Sequence, residues 1–436
     1  MTTPPNQSPL FRSALKGELN SWIDQGILAE EAAQRLNAIY ELDQLGNESS
    51  RRLAAVIFTI GGLLVGGGVI SLVAANWELL PTFIKVVLLF AALLGCHLAG
   101  YWLRYHRNSP RLGHALIFCG CLIFGANIGL LAQIFNISGT WHNAYAVWAI
   151  GSLAMAWAVR SWLIGALALA LSFIWFAGFA DDHHERLATV YPFLLAIFFL
   201  PLGVFTRSRA LYALTFAGLI SAMTYLAGNA SNSGRLSLVA MAAGGFFSWT
   251  AGEYHRVTQN RPELGNAVAV LGGLAIAACA YIGSFHGLWS RDELSVSGLW
   301  LVPSTAAVLA SAILGGRMWR QMNGEQRIIF TGLAMACLMV VLGMVLSSQR
   351  PAVLPIFGNL AALIIAAIGI GKGILDERRS AFWLGTLFLA LLVLSRFLEY
   401  ETSLLLKSLA FIVCGTITIV AGIAYEKFLR RKEVAA

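Results

Sequence analysis

Amides, hydroxyls and one arginine are the groups in this chain best suited to hold a polar solute beside an apolar interior. Asn76, Trp77 and Glu78 close one long apolar run, Asn127 and Gln133 interrupt another, and Asn136, Ser138, Gly139, Thr140, Trp141, His142 and Asn143 form the turn after it. Such groups can line a small outward-facing pocket, or support a broken helix whose backbone faces a cavity. They can equally be helix ends and turn formers bonded to one another. Arg396, near the outer end of a later run, precedes Glu399 and Tyr400. It can snorkel to the surface, pair with Glu399 at three-residue spacing, or bind an anion. The candidate pocket set is Asn76, Trp77, Asn127, Gln133, Asn136, Ser138 and Arg396.

Other chemistries have weaker support. Asp181-Asp182-His183-His184-Glu185 contains zinc-ligand types, but adjacent residues rarely converge on one ion and no second His-rich loop answers it, so an exposed polar loop is expected. His97 and His114 lie toward the ends of their runs. Axial haem ligation needs paired His at matching depth, and a satisfied hydrogen-bonding role is the better account. No Asp or Glu sits at the middle of any run, which counts against a carrier built on a central carboxylate. No Walker loop, dinucleotide fingerprint, nucleophile elbow or HExxH occurs. No cofactor or metal is indicated, and no acid/base pair suits an enzyme.

The elements that must position these groups are membrane helices. Apolar residues make up 58% of the 436, charged ones only 12%, and the mean hydropathy is +0.71. Those values lie far from soluble domains. A bilayer core of about 30 Å needs about 20 apolar residues per helix. That template finds about fourteen spans: 53–75, 82–103, 113–135, 142–159, 162–180, 188–206, 210–227, 236–253, 264–285, 299–316, 327–347, 353–371, 381–398 and 403–425. The fourth, which is short, and the sixth, interrupted by Pro192 and Pro201, are the weakest. Trp residues near the span ends suit the headgroup boundary. Gly62/Gly66, Gly125/Gly129 and Gly369/Gly373 have the spacing that lets helix backbones approach. The six cysteines all fall within or beside apolar runs and suit packing.

Cations alternate between the gaps. Of the 30 Lys and Arg, 23 fall in one set of gaps, from Arg12 to Lys432, and 7 in the other. Cytoplasmic loops retain positive charge, so both termini are expected in the cytosol of a prokaryotic cell, with the chain in the inner membrane. The formal charge of +8 then needs no nucleic acid partner. The polar N-terminus lacks the pattern of a cleavable signal, so the first run is expected to remain as an anchor.

Residues 1–50 form a different region from the membrane domain expected over 51–436. Phe11, Leu15, Leu19, Trp22 and Ile23 recur at helical spacing, Gly26 can end that helix, and Ala33, Leu36, Ile39 and Tyr40 form a second stripe after Glu30 and Glu31. This is a cytosolic helical hairpin. Two short helices bury too little to stand alone, so residues 1–46 are expected to dock on the membrane domain, a second copy or a partner.

Trp22-Ile23-x-x-Gly26-Ile27, Glu30-Glu31-Ala32, Arg35-Leu36 and Tyr40 resemble the start of the predicted membrane proteins catalogued as domain of unknown function 2157. Gly61-Gly62-Leu63-Leu64-Val65-Gly66, Ala74-Ala75-Asn76-Trp77 and Pro81 are similar to that family's first span and outer turn, and the stretch from Gln133 to Gly139 with Trp148 is similar as well. The resemblance covers about residues 15 to 160. It implies a multi-span protein with a small cytosolic hairpin, and it transfers no activity or catalytic residue. The all-α polytopic bundle therefore carries two functional expectations: transport or lipid handling through the outward polar pocket, or a non-catalytic scaffold or sensor whose hairpin recruits a partner.

Overall fold

A chain segment inside lipid must satisfy its own backbone polar groups, so long apolar runs fold as helices. The computed structural model describes residues 15, 18–19, 21–23, 25–26, 28–40, 77–107, 109–181, 185–231, 234–259, 261–286, 298, 301–347, 353–399 and 403–435. Among these residues the fold is all helical, with fifteen α-helices. They are α1 (Glu30–Tyr40), α2 (Thr82–Tyr105), α3 (Pro110–Ile134), α4 (Trp141–Val159), α5 (Trp162–Asp181), α6 (Glu185–Ala188), α7 (Tyr191–Phe205) and α8 (Arg209–Ser231). The remainder are α9 (Gly234–Val257), α10 (Pro262–Gly283), α11 (Leu301–Trp319), α12 (Gly324–Ser347), α13 (Val353–Leu375), α14 (Arg379–Glu399) and α15 (Leu404–Ala435). Apart from the short α1 and α6, each helix overlaps one expected span from the second onward. The expected first span, and the boundary expected at residue 50, lie outside the described residues.

Ten helices among the described residues are long and apolar enough to cross a membrane, and α4, α7 and α9 fall outside that group for separate reasons. Trp141, His142 and Asn143 lower the hydropathy of α4. Helix α7 has 15 residues, with Pro192 in its first turn and Pro201 inside it, and at 1.5 Å per residue it rises only about 22 Å. Helix α9 carries Arg235, Glu253 and Arg256. It avoids lipid by packing against α8, α10, α11 and α12.

The chain divides into two units, Met1–Leu88 and Leu89–Ala436. In the first, Gly26 adopts φ +67°, a left-handed conformation open to glycine without strain. The Gly26 amide bonds Ile23 O, and Leu28 N–H bonds Trp22 O, so the chain reverses before α1. Leu19 and Ala33 are buried.

In the second unit the tightest seam joins α9 to α10. A Cβ on Gly252 would lie 2.5 Å from the Ala269 amide nitrogen, and one on Gly272 would strike the Trp249 backbone. Gly245 and Gly252 on α9, and Gly265 and Gly272 on α10, are each seven residues apart, which keeps the two backbones in contact over two turns. Of the expected glycine pairs, Gly369 and Gly373 both face α14, whereas Gly125 packs on Trp148 and Gly129 meets nothing within 4 Å. Gly62 and Gly66 lie outside the described residues.

Several helices stop without glycine. Asn136, Arg160 and Arg207 take φ of 49°, 53° and 51°. In each case the following amide reaches back five residues to a carbonyl, Ile137 to Ala132, Ser161 to Ala156 and Ser208 to Gly203. This left-handed stop satisfies carbonyls that a helix end leaves open.

Candidate functional site

The residues of the expected outer set have different surroundings in the structure. Asn76 lies outside the described residues. Trp77 opens a 3-10 turn, Trp77–Leu79, and its ring lies 5.4 Å from the Lys85 ammonium. Asn127 is buried, 4% exposed, and donates from Nδ2 to the Leu89 carbonyl at 2.9 Å, tying α3 to α2. Gln133, Asn136 and Ser138 are exposed, and Asn136 is the left-handed stop of α3.

Arg396 is committed to a helix end. Its Nη1 donates to Ser284 O, the residue after α10, and to Glu399 Oε2, and its guanidinium lies 4.2 Å from the centre of the Phe285 ring. Glu399 accepts the His286 amide, and Asn359 Nδ2 reaches the same Ser284 carbonyl at 3.3 Å. A cation at a helix C-terminus answers both the dipole and the open carbonyls. The sequence exposes the Glu399 pairing through its three-residue spacing; the Ser284 contact spans 112 residues and leaves no local signal.

The two histidines are also engaged. His97 Nδ1 bonds Leu93 O at 2.9 Å. Arg104 donates to His114 Nδ1 at 3.1 Å and to Val159 O at 2.9 Å. His114 Nε2 therefore carries the proton and donates to Ser161 Oγ at 2.7 Å, and that oxygen accepts the Ile164 amide at the start of α5. Asp181 accepts Tyr225 Oη and Asn229 Nδ2; residues 182–184 lie outside the described residues.

The polar cavity lies at the opposite helix ends, where the sequence shows only topology charges. It holds ≈ 330 Å³ and is lined by the end of α9 (Trp249, Glu253, Arg256), the turn into α12 (Asn323, Glu325, Gln326) and the end of α13 (Lys372, Asp376, Arg378). Glu253 is 5% exposed and accepts Arg256 Nη1 at 2.5 Å, so the buried carboxylate is paired. Asp376 and Arg378 stand 3.9 Å apart. Asn323 Oδ1 accepts the Gln326 amide at 2.8 Å, and Gln326 Oε1 accepts the Asn323 amide at 3.1 Å. This reciprocal cap fixes the start of α12.

Six charged side chains, three of each sign, thus converge from helices distant in sequence. All six belong to ends assigned to one face by the alternating cations, and Ser284, Asn359, Arg396 and Glu399 all belong to the other. The signal missed in the sequence was the acids: Glu253, Glu325 and Asp376 occur beside the cations of cation-rich gaps. A larger groove of ≈ 510 Å³ between α4, α5 and α7 is walled by apolar groups such as Trp157, Trp175 and Phe198, and suits contact with lipid chains.

Residues 20–165 match the family model described as Predicted membrane protein (DUF2157). The stretch where the sequence resembles that family, about 15 to 160, agrees to five residues at each end. The match takes in α1 through the start of α5 and the outer amides, and the polar cavity lies beyond it. No curated protein and no solved structure matches the chain. The family description states a membrane location and no chemistry.

Proposed function

We propose that this membrane protein takes up a small charged solute in the cavity between α9, α12 and α13 and moves it across the membrane. The observation that carries this reading is the buried, ion-paired Glu253 in the wall of a polar cavity of ≈ 330 Å³. Ligand sites range from about 300 to 1,000 Å³, so the solute is small. The cavity opens among the ends where most cations gather, which in a prokaryotic inner membrane is the cytosolic side. Both termini then lie in the cytosol, and the N-terminal hairpin with them. The exposed Gln133, Asn136 and Ser138 belong to the other side.

Purified protein in nanodiscs, heated with a panel of amino acids, small phosphates, polyamines and sugars, tests the binding step. Ligand at about a hundred times its Kd stabilises the folded state by about 2.7 kcal/mol. One class should raise the unfolding temperature, and Glu253→Gln, which leaves Arg256 unpaired in the cavity wall, should reduce the rise. A panel that moves neither protein overturns the reading. Flux of the stabilising solute into proteoliposomes tests transport: solute should cross with the wild-type chain, and binding without flux identifies a sensor instead.

A further inference from the structure

We infer that the cavity between α9, α12 and α13 is built for a zwitterion, a small molecule with a separate ammonium and carboxylate, of the amino acid class. This inference rests on the binding role proposed above. The lining has no net charge, with Glu253, Glu325 and Asp376 set against Arg256, Lys372 and Arg378. A site for an anion or a cation alone would carry an excess of the opposite sign.

The pairings inside the cavity identify which charges are left for a ligand. Glu253 and Arg256 satisfy one another, and Asp376 stands with Arg378. Among the described residues, neither the Lys372 ammonium nor the Glu325 carboxylate has an ion-pair partner within 4 Å. Both are half-buried. Glu325 occupies the first turn of α12 and Lys372 the last turn of α13, where the helix dipoles favour a carboxylate and an ammonium respectively.

The start of α12 does not itself serve as the anion site, because Asn323 Oδ1 already occupies the Gln326 amide. The ligand carboxylate therefore goes to Lys372 and its ammonium to Glu325. Trp249 and Ile329, also in the lining, provide an apolar wall for the rest of the molecule.

Titration calorimetry on the full chain in nanodiscs tests this with leucine, glutamate and lysine as zwitterions. The single-charge probes are 3-methylbutylamine, 4-methylpentanoate and inorganic phosphate. At least one amino acid should bind, and for leucine each single-charge analogue should bind about tenfold more weakly or worse. Lys372→Met should reduce amino acid affinity by about tenfold, and Lys372→Arg should restore most of it. Glu325→Gln should weaken amino acids and leave 4-methylpentanoate unchanged. Each variant is compared by its ligand-free unfolding temperature, so a folding defect is separated from a binding loss.

Binding of phosphate or 4-methylpentanoate alone, weakened by Lys372→Met, overturns the zwitterion and leaves the cavity role standing. So does amino acid binding that Lys372→Met leaves unchanged. No binding by any probe, together with no response across the wider thermal panel, overturns both.

Discussion

Arg396 carries a plus charge into a region where the chain places few cations, and its neighbours explain why it is there. One guanidinium closes the end of α10 through Ser284, lies on Phe285 and holds Glu399, which in turn accepts the His286 amide. Lysine has a single ammonium and cannot reproduce this planar fork. Arg396→Lys should therefore lower stability by about 1 to 3 kcal/mol, read from unfolding in mixed micelles. A double-mutant cycle with Glu399→Gln should give a coupling of about 0.5 to 3 kcal/mol; no coupling would separate the pair. Asn127→Leu removes the bond to Leu89 O, and should cost about 0.6 to 1.7 kcal/mol, the range for interhelical polar contacts in membranes. An unchanged unfolding midpoint would mean that the contact is energetically idle. The sequence reveals these residues as polar groups near span ends, but hydrogen-bond partners 38 and 112 positions away have no linear signature.

Helices are readable from the chain because lipid leaves an apolar segment of about 20 residues so few alternatives. Their packing is less so. A search for small residues four apart finds Gly369 and Gly373, which do face α14, but passes over the two pairs seven apart, Gly245 with Gly252 and Gly265 with Gly272, that join α9 to α10. The cavity was hidden for a related reason: Glu253, Glu325 and Lys372 meet only after α9, α12 and α13 pack, and each reads alone as an ordinary helix end. The seam makes a sharp comparison possible. Gly252→Val places side-chain atoms against the Ala269 backbone, which can yield only by parting the helices, and overpacking of this kind costs about 1 to 3 kcal/mol. Gly273, on the same helix as Gly272, has nothing within 4 Å of its missing Cβ. Gly273→Ala should leave the unfolding midpoint unchanged or slightly raised, while Gly252→Val lowers it. Equal effects would remove the seam from the account.

Across the whole molecule, the alternation of cations and the grouping of helix ends describe the same arrangement. The acids and bases of the polar cavity come from one set of ends, and the Arg396 contacts from the other. Helix α7 is the place where this arrangement is most exposed to test, since about 22 Å of helix must serve where the apolar core is about 30 Å thick. A short span is accommodated by thinning the bilayer around it, and its neighbours α5 and α8 can shield its ends, because α7 packs on both. Crossing parity decides whether it spans. Six helices, α4, α5, α7, α8, α9 and α10, lie between Ser138 and His286, and adding α11 gives seven between Ser138 and Gln321, if the four-residue α6 is no crossing. All three residues are exposed. Single cysteines at these positions, probed in intact cells with a membrane-impermeant maleimide, should label at Ser138→Cys and His286→Cys, and at Gln321→Cys only after permeabilisation. The six native cysteines lie within helices, so the unsubstituted chain supplies the background. If α7 lies along the membrane instead of through it, His286→Cys moves to the protected side and Gln321→Cys to the labelled one. That pattern would put the ends of α9, α12 and α13 on the outer face, and the solute would then enter the polar cavity from outside the cell.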